Sequence, residues 1–133
     1  MDNIALDTNI LIYLYDTSNI NKRTTSEGLL LKNPIISSQV VSGYLNVSKR
    51  LLKISKQNLL DKCLLVFGYC IITPVIFETL TLARELIIKY DFQMFDSIII
   101  AAALQADCTI LYSEDLQSNQ LIESRLSIIN PFA

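Results

Sequence analysis

Short apolar runs that break off at an aspartate set the tightest limit on how this chain folds. Residues 3–7 (NIALD) and 109–112 (TILY, followed by Ser113-Glu114-Asp115) stop at polar turns, and Asp96 heads the apolar run 95–106. Apolar runs this short, bounded by turn residues, suit strands buried on both faces. A carboxylate at the end of a buried strand is costly to keep ionised unless something offsets its charge. A hard cation held by several carboxylates is the usual offset. The chain has no histidine, which removes the commonest general acid–base group and the commonest zinc ligand. Oxygen-ligated Mg²⁺ or Mn²⁺ remains, and phosphodiester hydrolysis is its most frequent use.

The rest of the chain alternates strand and helix. Pro34-Ile35-Ile36, Ile71-Ile72 and 127–130 read as further strands, and the apolar run 10–15 could begin a helix. Helices are expected over 21–32, weakened by Gly28, and from a Ser37 or Ser38 cap to about 52. Another runs from a Ser55 cap to about 69, and the next from Thr73 as cap and Pro74 as first residue to about 90. Val40, Val41, Tyr44, Val47 and Leu51 recur at helical spacing, as do Ile76, Leu80, Ala83, Leu86 and Ile87, so each set is expected to face the core. The run 95–106 is apolar all round, which places that helix inside. Alternating strands and helices give an α/β fold, a parallel sheet of four or five strands in one domain over 1–133. Such sheets bind ligands at the carboxyl ends of their strands, where Asp7 and Asp115 lie.

Composition narrows the setting. No run of 18 apolar residues occurs, so no membrane span is expected, and Asp2 with no basic stretch argues against a signal peptide. Cys63, Cys70 and Cys108 stand in apolar contexts and read as buried free thiols of a cytoplasmic protein. Net charge is −2, which does not favour general nucleic-acid binding, but no acid lies between Glu27 and Asp61 while Lys32, Lys49, Arg50, Lys53 and Lys56 do. A positive strip beside a negative site suits a nuclease, and a solvated helix face is the plainer alternative.

Each acid has a plainer role as well. Asp7 can be a turn or cap residue, and Asp96 a helix N-cap. Of Glu114 and Asp115, Asp115 is taken to face the site and Glu114 to be solvated. Tyr13, Tyr15 and Tyr44 can stack on bases, but packing is the stronger expectation.

LDTNILIYLYD, SSQVVSGYLNVSKR and FDSIIIAAALQADCTILYSEDLQ, in that order, resemble a PIN-domain ribonuclease, above all the VapC-type toxins of bacterial toxin–antitoxin pairs. The resemblance implies a three-layer fold with a parallel sheet, four acids around one or two Mg²⁺ or Mn²⁺ ions, and RNA hydrolysis. It maps three of the acids onto Asp7, Asp96 and Asp115, with Asn9 and Ser113 as assisting polar residues. The remaining acid, a glutamate in the helix after the second strand, falls on Gly43, and Asn46 lies one turn further on the same face. The resemblance also implies a homodimer and a cognate antitoxin that covers the acidic groove.

The reading is therefore a Mg²⁺-dependent endoribonuclease toxin impaired at Gly43, with Lys49, Arg50, Lys53 and Lys56 on the RNA backbone. The alternative is a catalytically inactive PIN-like module that binds RNA or protein. A receiver-like phosphotransfer domain would need a late strand-end lysine, and none follows Lys89; a Rossmann domain would need GxGxxG, and the chain has three glycines in all.

Overall fold

The computed structural model describes residues 2–133. Its elements in chain order are β1 (Asn3–Leu6), α1 (Thr8–Ile12), a 3₁₀ turn (Tyr13–Tyr15), α2 (Ile20–Leu30), β2 (Ile35–Ser37), α3 (Ser38–Leu52), α4 (Lys56–Phe67), β3 (Ile71–Thr73), α5 (Phe77–Tyr90), α6 (Met94–Gln105), β4 (Cys108–Tyr112), β5 (Leu121–Ile122) and β6 (Leu126–Ile129). The strands form one sheet in the order β3-β2-β1-β4-β6-β5, parallel throughout except that β5 runs against β6. The parallel part has five strands, as expected, and β5 adds a sixth, antiparallel, at the edge.

Three helix starts follow from local chemistry. Asp7 caps α1, Ser37 caps α3 by accepting the Val40 N–H at 3.2 Å, and Ser55 caps α4 by accepting the Asn58 N–H at 3.2 Å. The expected Thr73-Pro74 start of α5 does not form. Thr73 is drawn into β3 by pairing with Ser37 of β2, and the helix opens at Phe77, where the Ile76 N–H donates to Thr79 Oγ1 at 3.1 Å. Ala83 and Leu86 are buried as expected, joined by Thr79, whereas Ile76 and Leu80, expected inside, are half-exposed. On α3, Val40, Tyr44 and Ser48 are buried, whereas Leu51, expected inside, is 59% exposed.

Helix α6 is the centre of the molecule: every residue from Ser97 to Leu104 is buried, as its all-round apolar sequence requires. It packs on α5, β4 and β2. Ile100, Leu104, Leu6, Ile36, Leu111 and Ile128 are each under 2% exposed. Tyr44 is fully buried, stacked on Tyr15 at 5.6 Å and edge-on to Phe67 at 5.7 Å, which makes it a core residue and leaves it no base to stack on. Cys63 and Cys108 are buried free thiols, and Cys70 is half-buried. No described helix is long and apolar enough to cross a membrane.

Candidate metal centre and basic groove

Strand order fixes where the acids meet. The chain leaves β1 toward β2 on one side and returns to β4 on the other, so the connections diverge between β1 and β4. A crevice at the carboxyl end of the strands opens at such a point. Leu6 is in register with Tyr112, and the Asp7 N–H donates to the Tyr112 carbonyl at 2.9 Å. Asp7 therefore emerges beside Ser113, as two neighbouring strand ends predict.

Asp7 is 6% exposed. Its Oδ1 accepts the Thr8 N–H at 2.7 Å and its Oδ2 accepts the Ser113 hydroxyl at 2.8 Å. It is thus the cap its sequence allows, but it is also a buried carboxylate. Burial pushes its pKa up; the bonds from Ser113 and Thr8 oppose this, and the charges of Asp96 and Asp115 add to the rise. Asp96 is half-buried in the first turn of α6, where Gln93 takes the cap position expected for it. Burial also raises its pKa, and Asp115 raises it further. Asp115 is exposed on the loop after β4. The three aspartates thus lie close enough to repel one another. Among the described residues the ion pairs are Lys22–Glu114, Arg23–Glu27 and Lys89–Glu123, none of which includes Asp7, Asp96 or Asp115.

The donor set is all carboxylate oxygen, the chemistry that suits Mg²⁺ or Mn²⁺. Among the described residues no three acidic or cysteine side chains are already gathered into a coordination shell. The donor chemistry, carboxylate oxygen, is the kind that fits a hard divalent ion.

Around the acids the polar residues act as braces. Ser113, fully buried, donates to Asp7 and accepts the Leu116 N–H at 3.2 Å. Asn9 Oδ1 accepts the Glu114 N–H at 3.2 Å. Glu114, expected to be solvated, is instead paired with Lys22 and accepts the Tyr13 hydroxyl at 2.6 Å. Burial pushes its pKa up, but the bonds from Lys22 and Tyr13 outweigh this and hold it below the ordinary glutamate value. Lys22 and Tyr13 carry no local signal for this role, since their partner is 92 and 101 residues away.

Gly43 lies on the side of α3 that faces α1. A Cβ placed there would sit 3.0 Å from Thr8 Oγ1 and 3.4 Å from Thr8 Cγ2. Position 43 therefore contacts Thr8, the residue that follows Asp7 in the chain. Asn46, Lys49 and Arg50 further along the same helix, with Lys53 at its C-cap, line an open groove of about 680 Å³. Spacings of three and four along 43, 46 and 50 keep these residues on one stripe, about 10 Å long at 1.5 Å per residue, and Lys53 follows as the left-handed C-cap of the helix. Lys56 is exposed at the start of α4, outside the residues lining the groove.

A family model for the PIN domain matches residues 4–121, a span that includes every acid of the cluster, Gly43 and the groove. The chain belongs to the PIN-domain family. Solved structures sharing the PIN-domain fold include a toxin–antitoxin complex from Klebsiella pneumoniae, with TM-score 0.72 and 19% identity over 98% of this chain and 98% of that one. FitAcB from Neisseria gonorrhoeae gives TM-score 0.70 and 19% identity over 97% and 98%. VapC20 of Mycobacterium tuberculosis, a sarcin–ricin loop cleaving toxin, gives TM-score 0.66 and 15% identity over 85% and 90%. At these identities the likeness carries the PIN fold. No curated protein matches the chain significantly.

Proposed function

We propose that this PIN-domain chain is an endoribonuclease toxin of a toxin–antitoxin pair, using Mg²⁺ or Mn²⁺ to hydrolyse RNA phosphodiesters, and that Gly43 holds it below full activity. The observation that supports the reading is an acidic cluster with no ion pair among the described residues, set in the same domain as a basic groove at the C-terminal part of α3, the helix whose Gly43 meets Thr8 next to Asp7. The membership in the PIN family and the toxin–antitoxin structures that share the fold support it.

Asp7, Asp96 and Asp115 would hold the ion. When bound, the ion lowers the pKa of its water and stabilises charge on the scissile phosphate. Ser113 and the Thr8 N–H hold Asp7 with both oxygens oriented. Asn9 holds the loop that carries Asp115. Lys49, Arg50 and Lys53 supply positive charge for the RNA backbone, which positions substrate without reading its sequence. Partners in this reading are a cognate antitoxin over the acidic groove and a second copy of the chain. Half-exposed Ile71 and Ile72 on edge strand β3, with Ile76 and Phe77 beside them, supply apolar surface for such contacts. Light scattering should give twice the chain mass at micromolar concentration, and a monomer throughout would remove the homodimer.

Gly43 favours a second reading, a PIN module that binds RNA or protein without cutting. Cleavage of RNA by the Gly43→Glu variant in Mg²⁺ separates the two. Mg²⁺-dependent cleavage supports the nuclease; binding without cleavage in both versions supports the module.

A further inference from the structure

Asp115 is exposed and makes no ion pair among the described residues, so its position depends on the loop that carries it. The next residue back, Glu114, is bound on every side. Its Oε1 accepts the Tyr13 hydroxyl at 2.6 Å, and its other oxygen pairs with Lys22. Lys22 Nζ also donates to the Tyr13 hydroxyl oxygen at 3.1 Å. The same ammonium lies 4.7 Å from the Tyr13 ring centre and 5.3 Å from that of Phe132, and these rings meet edge to face at 5.1 Å. The Glu114 N–H is taken by Asn9. The 3₁₀ turn, α2, the chain end and the loop after β4 thus close around one carboxylate.

We infer that Glu114 is a positioning residue: the Tyr13–Lys22–Glu114 clamp fixes the loop after β4 so that Asp115 stays beside Asp7 and Asp96, and so sets the affinity of the cluster for a divalent cation. This rests on the metal-centre reading above. A charge argument and a positioning argument differ in sign here. Removing the Lys22 ammonium lessens local positive charge, which by itself strengthens cation binding. Releasing Glu114 loosens Asp115, which weakens it.

The test is Mn²⁺ binding to the full chain, followed by the electron paramagnetic resonance of free Mn²⁺, with amide exchange over 113–117 measured on the metal-free protein. Lys22→Met and the charge-neutral Tyr13→Phe should each weaken binding about three- to tenfold, at or below the range for outer-shell partners of a metal. Exchange at 115 and 116 should quicken while that of α6 is unchanged. Lys22→Arg should restore binding. In an Asp115→Asn background Lys22→Met and Tyr13→Phe should have no further effect, because the residue they act through is gone. Lys22→Met binding as tightly as the parent or more so would overturn the clamp, as would an equal loss in the Asp115→Asn background. If the parent shows no Mn²⁺ affinity sensitive to Asp7→Asn, the metal centre itself fails and the positioning role falls with it.

Discussion

Asp7 and Glu114 sit on neighbouring strand ends, and folding treats them in opposite ways. Glu114 has a lysine, a phenol and an aromatic floor assembled around it, and its pKa falls. Asp7 is more deeply buried, has two other aspartates near it and no ion pair among the described residues, and its pKa rises. One carboxylate has its counter-charge built in and holds the architecture. Buried Asp7, with half-buried Asp96 near it, keeps a charge that packing alone would have removed with an apolar residue. That asymmetry points to a cation supplied from outside, and it can be broken experimentally in several places.

The largest effect should be on cleavage. In the Gly43→Glu background, Asp7→Asn should lower Mg²⁺-dependent RNA cleavage by at least about a hundredfold, beyond the roughly 10–100-fold typical of residues that only support a metal ligand. Retention of cleavage would remove Asp7 from the site and the comparison with it.

Next comes the cation itself. If the aspartates are incomplete without it, Mg²⁺ at a hundredfold excess over its dissociation constant should stabilise the Gly43→Glu variant by about 2.7 kcal/mol, and EDTA should reverse the gain. Asp96→Asn should blunt the rise in melting temperature. A melting temperature indifferent to Mg²⁺ in every version would favour the binding module.

The two carboxylates should also titrate with opposite signs in EDTA. Asp7 has a raised folded pKa, so the folded state holds its proton more tightly and stability falls as pH rises from the ordinary aspartate value of 3.8 through the raised one. Asp7→Asn should flatten that fall and raise the melting temperature at neutral pH. Glu114 has a lowered folded pKa, so its contribution is present above the ordinary value of 4.5 and is lost as pH drops through the folded one. Lys22→Met should remove that acid-side loss. The pair lies near the surface, so solvent screening should keep the change small. Unit stability–pH slopes in both variants matching the parent would show that neither carboxylate is treated as described.

Half of this comparison is legible in the sequence. Asp7 and Asp115 announce themselves because the signal is local: a few apolar residues, then a polar turn. The serine caps of α3 and α4 are local in the same way. The clamp on Glu114 is not, because Lys22 and Tyr13 reach it only after β1 and β4 pair, and nothing near Lys22 marks it off from other helix lysines. Strand β5 is hidden for a different reason. Its hairpin turns through Glu123 and Ser124 at φ of 51° and 55°, a conformation that Asn-Gly or Gly-Gly would advertise and these residues do not. Thr73-Pro74 misleads because strand pairing with β2 prevails over a good local cap. The position of Gly43 was readable from the motif; what faces it was not.

That neighbour sets the smallest prediction. Replacing a helix-interior glycine with alanine ordinarily gains about 0.5–1 kcal/mol. At position 43 the new Cβ would lie 3.0 Å from Thr8 Oγ1, so Thr8 must shift by a few tenths of an ångström. Thr8 heads α1 and follows Asp7, whose carboxylate accepts its N–H, so movement there disturbs the site's own scaffold. The two effects oppose each other, and Gly43→Ala should change stability by less than about 0.5 kcal/mol. With Thr8→Ala beneath it, the same change should recover most of the helix gain, about 0.5–1 kcal/mol. Urea melts of the four proteins in EDTA measure this coupling. Additivity would mean that Thr8 does not limit position 43, and that a glutamate there meets no obstacle from α1 beyond its own charge beside Asp7.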